Sequence, residues 1–186
     1  MITLADAKLH LRLITSLEEA EAYTAEDGLV QGLIDAAYDH AYQITRVRFR
    51  PSTETLVLDG FPSGSESILL PWTPVTGIDS LEYVDPEGVE QSLDAEALRL
   101  DARPIYPTLA PQWGSEWPAT IGEPESVTIT AAVGHEHTPG DVRAALLLLI
   151  GHLYENREAV VVGTSASQVP LGVEILLAPH KIHAVG

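Results

Sequence analysis

The stretch Thr138-Pro-Gly-Asp-Val-Arg-Ala-Ala-Leu-Leu-Leu-Leu-Ile-Gly-His-Leu-Tyr154 decides the fold class. Thr138 reads as an N-cap, Pro139 as the first helical residue and Asp141 as the third. Val142, Ala145, Leu146, Leu149, Leu153 and Tyr154 then recur at helical spacing, and Leu148 and Ile150 widen the stripe. So broad a stripe predicts burial on more than one side, against a core or against another subunit. Its unbroken apolar run, Ala144 to Ile150, is far short of the ~20 residues needed to cross a bilayer.

Working back from this helix, the chain changes character twice. Residues 1–50 are helical in pattern. Thr3 caps a first helix, Asp6 completes a capping box, and Leu4, Ala7 and Leu11 follow, with an end expected near residues 13–15. Residues 16–23 are acidic and read equally as a helical turn or a loop. Thr24 is expected to cap a second helix with Asp27 at its third position. Leu29, Leu33, Ala36, Ala37, His40, Ala41 and Ile44 form its apolar face. Arg46, Arg48 and Arg50 suit the negative end of the helix dipole, and Pro51 stops it.

From residue 52 to 134 the pattern is short strands broken by Pro and Gly: residues 55–58, 67–70, 78–84, 89–93, 98–100 and 126–133. Asp85-Pro-Glu-Gly88 predicts a hairpin turn, with Gly88 at the left-handed position. Val127-Thr-Ile-Thr-Ala-Ala-Val133 has the period-two pattern of a half-buried strand. Residues 103–124, rich in Pro and holding Trp113 and Trp117, read as one long irregular loop. Beyond the long helix, Gly163-Thr-Ser-Ala-Ser-Gln168 reads as flexible, and a short helix is expected over Gly172–Leu177.

The fold class is therefore α+β: a bundle of about three to four helices with a β-rich insertion between the second and third long helices. The expected layout is one domain over residues 1–186. Residues 1–50 supply helices, 51–134 the acidic insertion, 138–160 the long helix, and 161–186 a flexible arm with a short helix.

Charge narrows the function. Ten Lys and Arg face 27 Asp and Glu, a formal net of −17. Residues 51–140 hold 15 of the acids and only Arg99 and Arg103, a net of −13. Such a surface repels phosphate and disfavours nucleic-acid binding through a basic patch. It suits a surface that DNA slides past, or simple solubility. The sequence has no cysteine, so disulfides, thiolate metal sites and cysteine nucleophiles are excluded. With no basic segment and apolar run at the start, the expectation is a soluble protein made in the cytoplasm.

Candidate chemistry is sparse. His135-Glu136-His137 places two imidazoles at i and i+2, able to share one side of an extended segment and hold Zn or Ni. Asp141 or His152 would be the third ligand. The spacing is not that of HExxH, and the residues favour the plainer reading of a solvated loop before a helix. His40 and His152 read as core or interface histidines with satisfied hydrogen bonds. There is no GxSxG elbow, Walker loop or GxGxxG. Carboxylate pairs such as Asp94 and Glu96 carry little meaning among 27 acids. Glu155-Asn156-Arg157-Glu158 reads either as a solvated helix end or as a subunit contact.

Several blocks together resemble the phage gp6-like head–tail connector, or head-completion adaptor, family. They are Leu4-Ala-Asp-Ala-Lys-Leu-His-Leu-Arg-Leu13, Leu29-Val-Gln-Gly-Leu-Ile-Asp-Ala-Ala37, Leu70-Pro-Trp-Thr-Pro-Val-Thr-Gly-Ile78 and Tyr83-Val-Asp-Pro-Glu-Gly88. They continue with Ala145 to Val160, which contains Tyr154-Glu-Asn-Arg-Glu158, and Val169-Pro-Leu-Gly-Val-Glu-Ile-Leu-Leu-Ala-Pro179. The resemblance spans nearly the whole chain, in order. Residues 14–23 depart from it as an added acidic segment, and His135 to His137 stand where a plainer Gly-rich turn is expected.

The resemblance implies a structural virion protein of the neck, not an enzyme, with no cofactor, no metal and no membrane. It implies a ring of about twelve copies, closed by head-to-tail contacts. The ring sits below the portal protein, extends the DNA channel without specific DNA binding, and presents a stopper or tail-completion protein with its lower face. Residues 155–183 are expected to face the portal. Contact residues are expected among Leu149, Leu153, Tyr154, Glu155, Arg157, Glu158, Val169, Leu171, Ile175, Leu176, Leu177 and Lys181. The alternatives are another neck or tail-completion protein and, more remotely, a metal-dependent enzyme using His135 and His137.

Overall fold

A computed structural model describes residues 1–103, 105–156 and 171–182. The chain forms two compact units: Met1–Arg50 with Glu136–Gly186, and Pro51–His135. The first is helical and the second β-rich, so the α+β class and the β-rich region between helices both hold.

The helical unit contains α1 (Leu4–His10), α2 (Asp27–Thr45), α3 (Gly140–Glu155) and α4 (Leu171–Leu177). The capping box of α1 is complete: the Asp6 N–H donates to the Thr3 hydroxyl and the Thr3 N–H to the Asp6 carboxylate. The helix stops earlier than its apolar pattern predicts. Arg12 takes φ +59°, the Arg12 N–H donates to the Leu9 carbonyl and the Leu13 N–H to the Lys8 carbonyl. This is the reverse turn that glycine normally makes at a helix end.

The cap expected at Thr24 is not formed: α2 begins at Asp27, with Glu26 preceding it. Lys8 accounts for the difference. Its side chain is 1% exposed, and its ammonium donates to the carbonyls of Ala20 (2.8 Å) and Tyr23 (2.5 Å) and pairs with Asp27 (2.5 Å). The acidic segment is thereby folded down as a short 3-10 turn at Leu17–Glu19. The chain from Tyr23 to Asp27 turns around the lysine instead of capping the helix with a hydroxyl.

Thr138 does not cap α3 either. Its hydroxyl donates to the Phe49 carbonyl at 3.0 Å and lies 3.1 Å from the Tyr38 hydroxyl, which accepts from the Ile2 N–H at 3.0 Å. The helix starts at Gly140, with Pro139 at the cap position. Val142, Ala145, Leu146, Leu149 and Ile150 of α3 are buried with Val30, Ile34, Ala37 and Ala41 of α2 and Val173 and Leu177 of α4. At the C-terminal end of α2, Arg46 takes φ +64°, and the Ile182 N–H donates to the Thr45 carbonyl at 2.9 Å, one of those a helix end leaves without an intrahelical donor. None of the described helices is long and apolar enough to cross a membrane.

The β unit holds two antiparallel sheets, ordered β1-β7-β3-β4 and β2-β6-β5. The strands are β1 (Ser52–Leu58), β2 (Ile68–Leu69), β3 (Val75–Val84), β4 (Glu90–Ser92), β5 (Leu98–Asp101), β6 (Thr108–Pro111) and β7 (Val127–Val133). β7 is central and alternates buried with half-buried residues as its period-two pattern predicts. It pairs with β1 from Ser52↔Val133 to Leu58↔Val127. Ile129, Leu81, Val127, Leu109 and Trp117 are in the core, where Trp117 stacks on Phe61 at 4.7 Å.

The Asp85–Gly88 turn forms as expected. Gly88 has φ +80° and the Asp85 carboxylate accepts from the N–H groups of Glu87 and Val89. Residues 103–124 are not one irregular loop, because β6 lies inside them and is the middle strand of the second sheet. Pro107 and Pro111 bracket Leu109 and Ala110 and mask the strand in the sequence, since proline reads as a strand breaker.

Candidate functional site

The candidate contact residues divide by burial. Leu149 (2% exposed) and Leu177 (1%) lie in the core of the helical unit, where they hold α3 and α4 together. Leu153 and Leu176 are half-buried against the same core. Leu171 (70%) and Ile175 (62%), one turn apart on α4, are exposed. Leu148 of α3 is exposed too, and a methyl group added at Gly172 of α4 would stand 3.8 Å from it. An apolar patch therefore runs across α3 and α4.

The other candidates surround this helix pair. The Tyr154 hydroxyl donates to the Glu26 carboxylate at 2.7 Å, which ties the C-terminal turn of α3 to the segment preceding α2. Glu155 is exposed, and Asn156 closes the helix by donating from its backbone and its side-chain amide to the His152 carbonyl. Lys181 lines a concavity of about 560 Å³ with Gln43, Ile44, Arg46 and Glu174. Arg157, Glu158, Val169 and the stretch 163–168 lie outside the described residues.

Asp141 has a structural partner. Its carboxylate meets His180 Nε2 at 2.7 Å and accepts from the Val142 N–H at 2.8 Å. The bond to His180, then that to Val142, holds the Asp141 carboxyl below the usual carboxylate range. The contact fastens the residues after α4 to the first turn of α3, and His180 also meets the Phe49 ring edge-on at 5.6 Å. Asp6 is likewise held low: partial burial raises it, but the Thr3 N–H and hydroxyl and the Arg143 guanidinium at 3.0 Å outweigh that.

His135 ends the β unit and His137 belongs to the helical one. Among the described residues no three His, Asp or Glu side chains are grouped to hold a metal ion. His40 departs from the expectation of a satisfied core histidine: its Nε2 is buried without a hydrogen-bond partner among the described residues. Two features were not picked out by the sequence as sites, the buried Lys8 and an exposed Trp113 with Arg99 stacked on it.

No family model matches this chain, and no curated protein does. Solved structures do. A chain in the neck of an empty GTA particle, computed with C6 symmetry, is 25% identical with a TM-score of 0.77, over 100% of this chain and 91% of its own. A chain in the virion of a native gene transfer agent (GTA) particle is 24% identical with a TM-score of 0.76, over the same shares of the two chains. A third, in the neck of a native GTA particle computed with C12 symmetry, is 25% identical with a TM-score of 0.68 over 92% of each chain. This chain thus shares its fold, over its whole length, with neck and virion components of gene transfer agent particles.

Proposed function

We propose that this chain is a structural neck protein of a phage-like particle, an adaptor whose copies form a ring below the portal, extend the DNA channel and link the head to a stopper or tail component. The observation that carries this reading is the end-to-end likeness to chains from particle necks, reconstructed with sixfold and twelvefold symmetry. The same reading gives the ring about twelve copies, arranged head to tail.

The reading gives each unit a part. The α3–α4 face, with Leu171, Ile175, Glu155 and Lys181, docks on the portal. Exposed apolar side chains rimmed by charge are the usual composition of such a contact. Residues 51–140, with a net of −13, line the channel, where like charge keeps DNA from adhering. No catalytic role is assigned to any residue.

A cryo-EM reconstruction of the neck of the assembled particle tests all of this. The expected result is a ring of this chain directly below the portal, with residues 51–140 on the channel wall. Another chain at that position would overturn the adaptor role in favour of a different neck or tail-completion role. A ring with residues 51–140 wholly on its outside would sink the channel-lining part alone.

A further inference from the structure

Arg99 and Arg103 are the only Lys or Arg within residues 51–140, and they come together. Both line a concavity of about 500 Å³ beside Trp113. Trp113 sits on a tight turn in which the Ser115 N–H donates to the Gln112 carbonyl at 3.0 Å. Gly114 supplies the positive φ, +81°, that such a turn needs at its third residue. The turn is anchored: the Gln112 N–H donates to the Ala97 carbonyl and its side-chain amide to the Leu98 carbonyl, each at 3.0 Å.

The anchoring holds Trp113 85% exposed, whereas Trp72 and Trp117 are buried. The Arg99 guanidinium lies 4.0 Å from the Trp113 ring centre. Its Nη1 is buried with no hydrogen-bond partner among the described residues. The Arg103 side chain is 72% exposed and pairs with Asp101 at 2.7 Å. A tryptophan fixed in water with an arginine stacked on it has the composition of an interface hot spot.

The same unit carries a surface of opposite character. Glu82, Glu90 and Glu125 line a concavity of about 370 Å³ with Tyr83, Gln91 and Thr128, and no Lys or Arg is among its lining residues. We propose that the Trp113–Arg99–Arg103 knob of one copy of this chain seats in the Glu82–Glu90–Glu125 groove of the next copy.

Charge complementarity selects the occupant. Two copies of a segment with a net of −13 repel wherever acid faces acid, and this patch holds the segment's only two cations, Arg99 and the Asp101-paired Arg103. The groove's Glu82, Glu90 and Glu125 carboxylates are the acceptors two guanidinium groups would meet on a second copy. The two patches share no residue, so the contact is head to tail and each copy offers one patch to either neighbour. DNA phosphate is the other acceptor two arginines could take, and the surrounding negative field opposes it. The inference rests on the ring reading above, but it fixes which surfaces meet.

The absence of cysteine makes cross-linking a clean test. Full-length Arg103→Cys and Glu90→Cys proteins are oxidised separately and as a mixture, in concentrated solution and when co-incorporated into particles. The expected result is a disulfide-linked dimer from the mixture only, and a ladder of multimers from the double variant in particles. In parallel, Arg99→Glu/Arg103→Glu is expected to lower self-association about tenfold or more. Mixing it with Glu82→Arg/Glu90→Arg protein should restore association. Circular dichroism of each variant confirms that the fold is kept.

A dimer from either single variant alone, no cross-link in solution or in particles, or Arg103→Cys joined to a different protein would each overturn the proposal. The ring reading fails separately. A neck ring of this chain without the Glu90–Arg103 cross-link sinks the inference and leaves the ring. The cross-link in a chain absent from the neck does the reverse.

Discussion

Replacing Lys8 with methionine tests whether one buried cation organises the start of the chain. Methionine keeps the length and packing of the stem but removes the ammonium, which serves the Ala20 and Tyr23 carbonyls and the Asp27 carboxylate. Hydrogen bonds to a charged group contribute about 1.5–3 kcal/mol each, so the two carbonyl contacts bound the loss at roughly 3–6 kcal/mol. The Asp27 side chain is one-third exposed, but the Oδ1 that meets the ammonium is buried, so loss of the pair adds to the cost. The carbonyls lie in a surface segment and are partly re-solvated. The expected destabilisation is about 2–4 kcal/mol.

Urea unfolding followed by far-ultraviolet circular dichroism reads it, because the helices dominate that signal. All three tryptophans lie in Pro51–His135, so their fluorescence reports the β unit separately. Hydrogen exchange should show residues 14–23 losing protection first. A change below about 0.5 kcal/mol, the ordinary range for surface substitutions, or unaltered exchange at residues 17–23 would refute the reasoning. An Asp27→Asn cycle with Lys8→Met should return a coupling of about 1 kcal/mol.

Tyr38→Phe should cost about 1–3 kcal/mol in the same unfolding assay, because it leaves the buried Ile2 N–H without its acceptor. Arg12→Gly should stabilise by about 0.5–1 kcal/mol, since glycine adopts the left-handed backbone at that helix end without strain. The Asp6 and Asp141 carboxyls are held below their ordinary values, so at mildly acidic pH the unfolded chain binds more protons than the folded one. Their stabilisation is complete above about pH 4 to 5 and is lost as pH falls through the lowered folded values. Urea midpoints measured from neutral to acidic pH should fall less steeply in Asp6→Asn and Asp141→Asn.

The parts of the fold legible in the sequence are those written in local chemistry. The Thr3–Asp6 box, the broad stripe of α3, the Asp85–Gly88 turn and the alternation of β7 each depend on residues a few positions apart. What escaped reading depends on distance or on an unexpected residue. Lys8 finds partners 12, 15 and 19 positions away, and nothing in its neighbours marks it as buried. Arg12 and Arg46 occupy left-handed positions where glycine would have announced a helix end.

Thr24 and Thr138 have the right identity for caps, but tertiary contacts claim the surrounding chain first. Of the two leucines after Ile175, Leu177 is buried and Leu176 only partly so. A seven-residue helix is too short for its pattern to say which side packs inward. Trp113 and Trp117 are four residues apart and look alike in sequence. Only the anchored turn sends one outward while the other stacks on Phe61.

The pairing of Ser52 with Val133 has a consequence for the order in which this protein is made. The β unit is one continuous piece of chain whose two ends meet on adjacent strands, so it can close as soon as its last strand leaves the ribosome. The helical unit is split around it. At ordinary elongation rates α1 and α2 wait on the order of ten seconds before α3, whose buried face completes their core, has been synthesised. During that interval Val30, Ile34, Ala37 and Ala41 lack α3 and α4, the helices with which they are buried in the finished core. The nascent chain is therefore most vulnerable to chaperone capture or aggregation at its first-made end, while the segment translated after it is already folded.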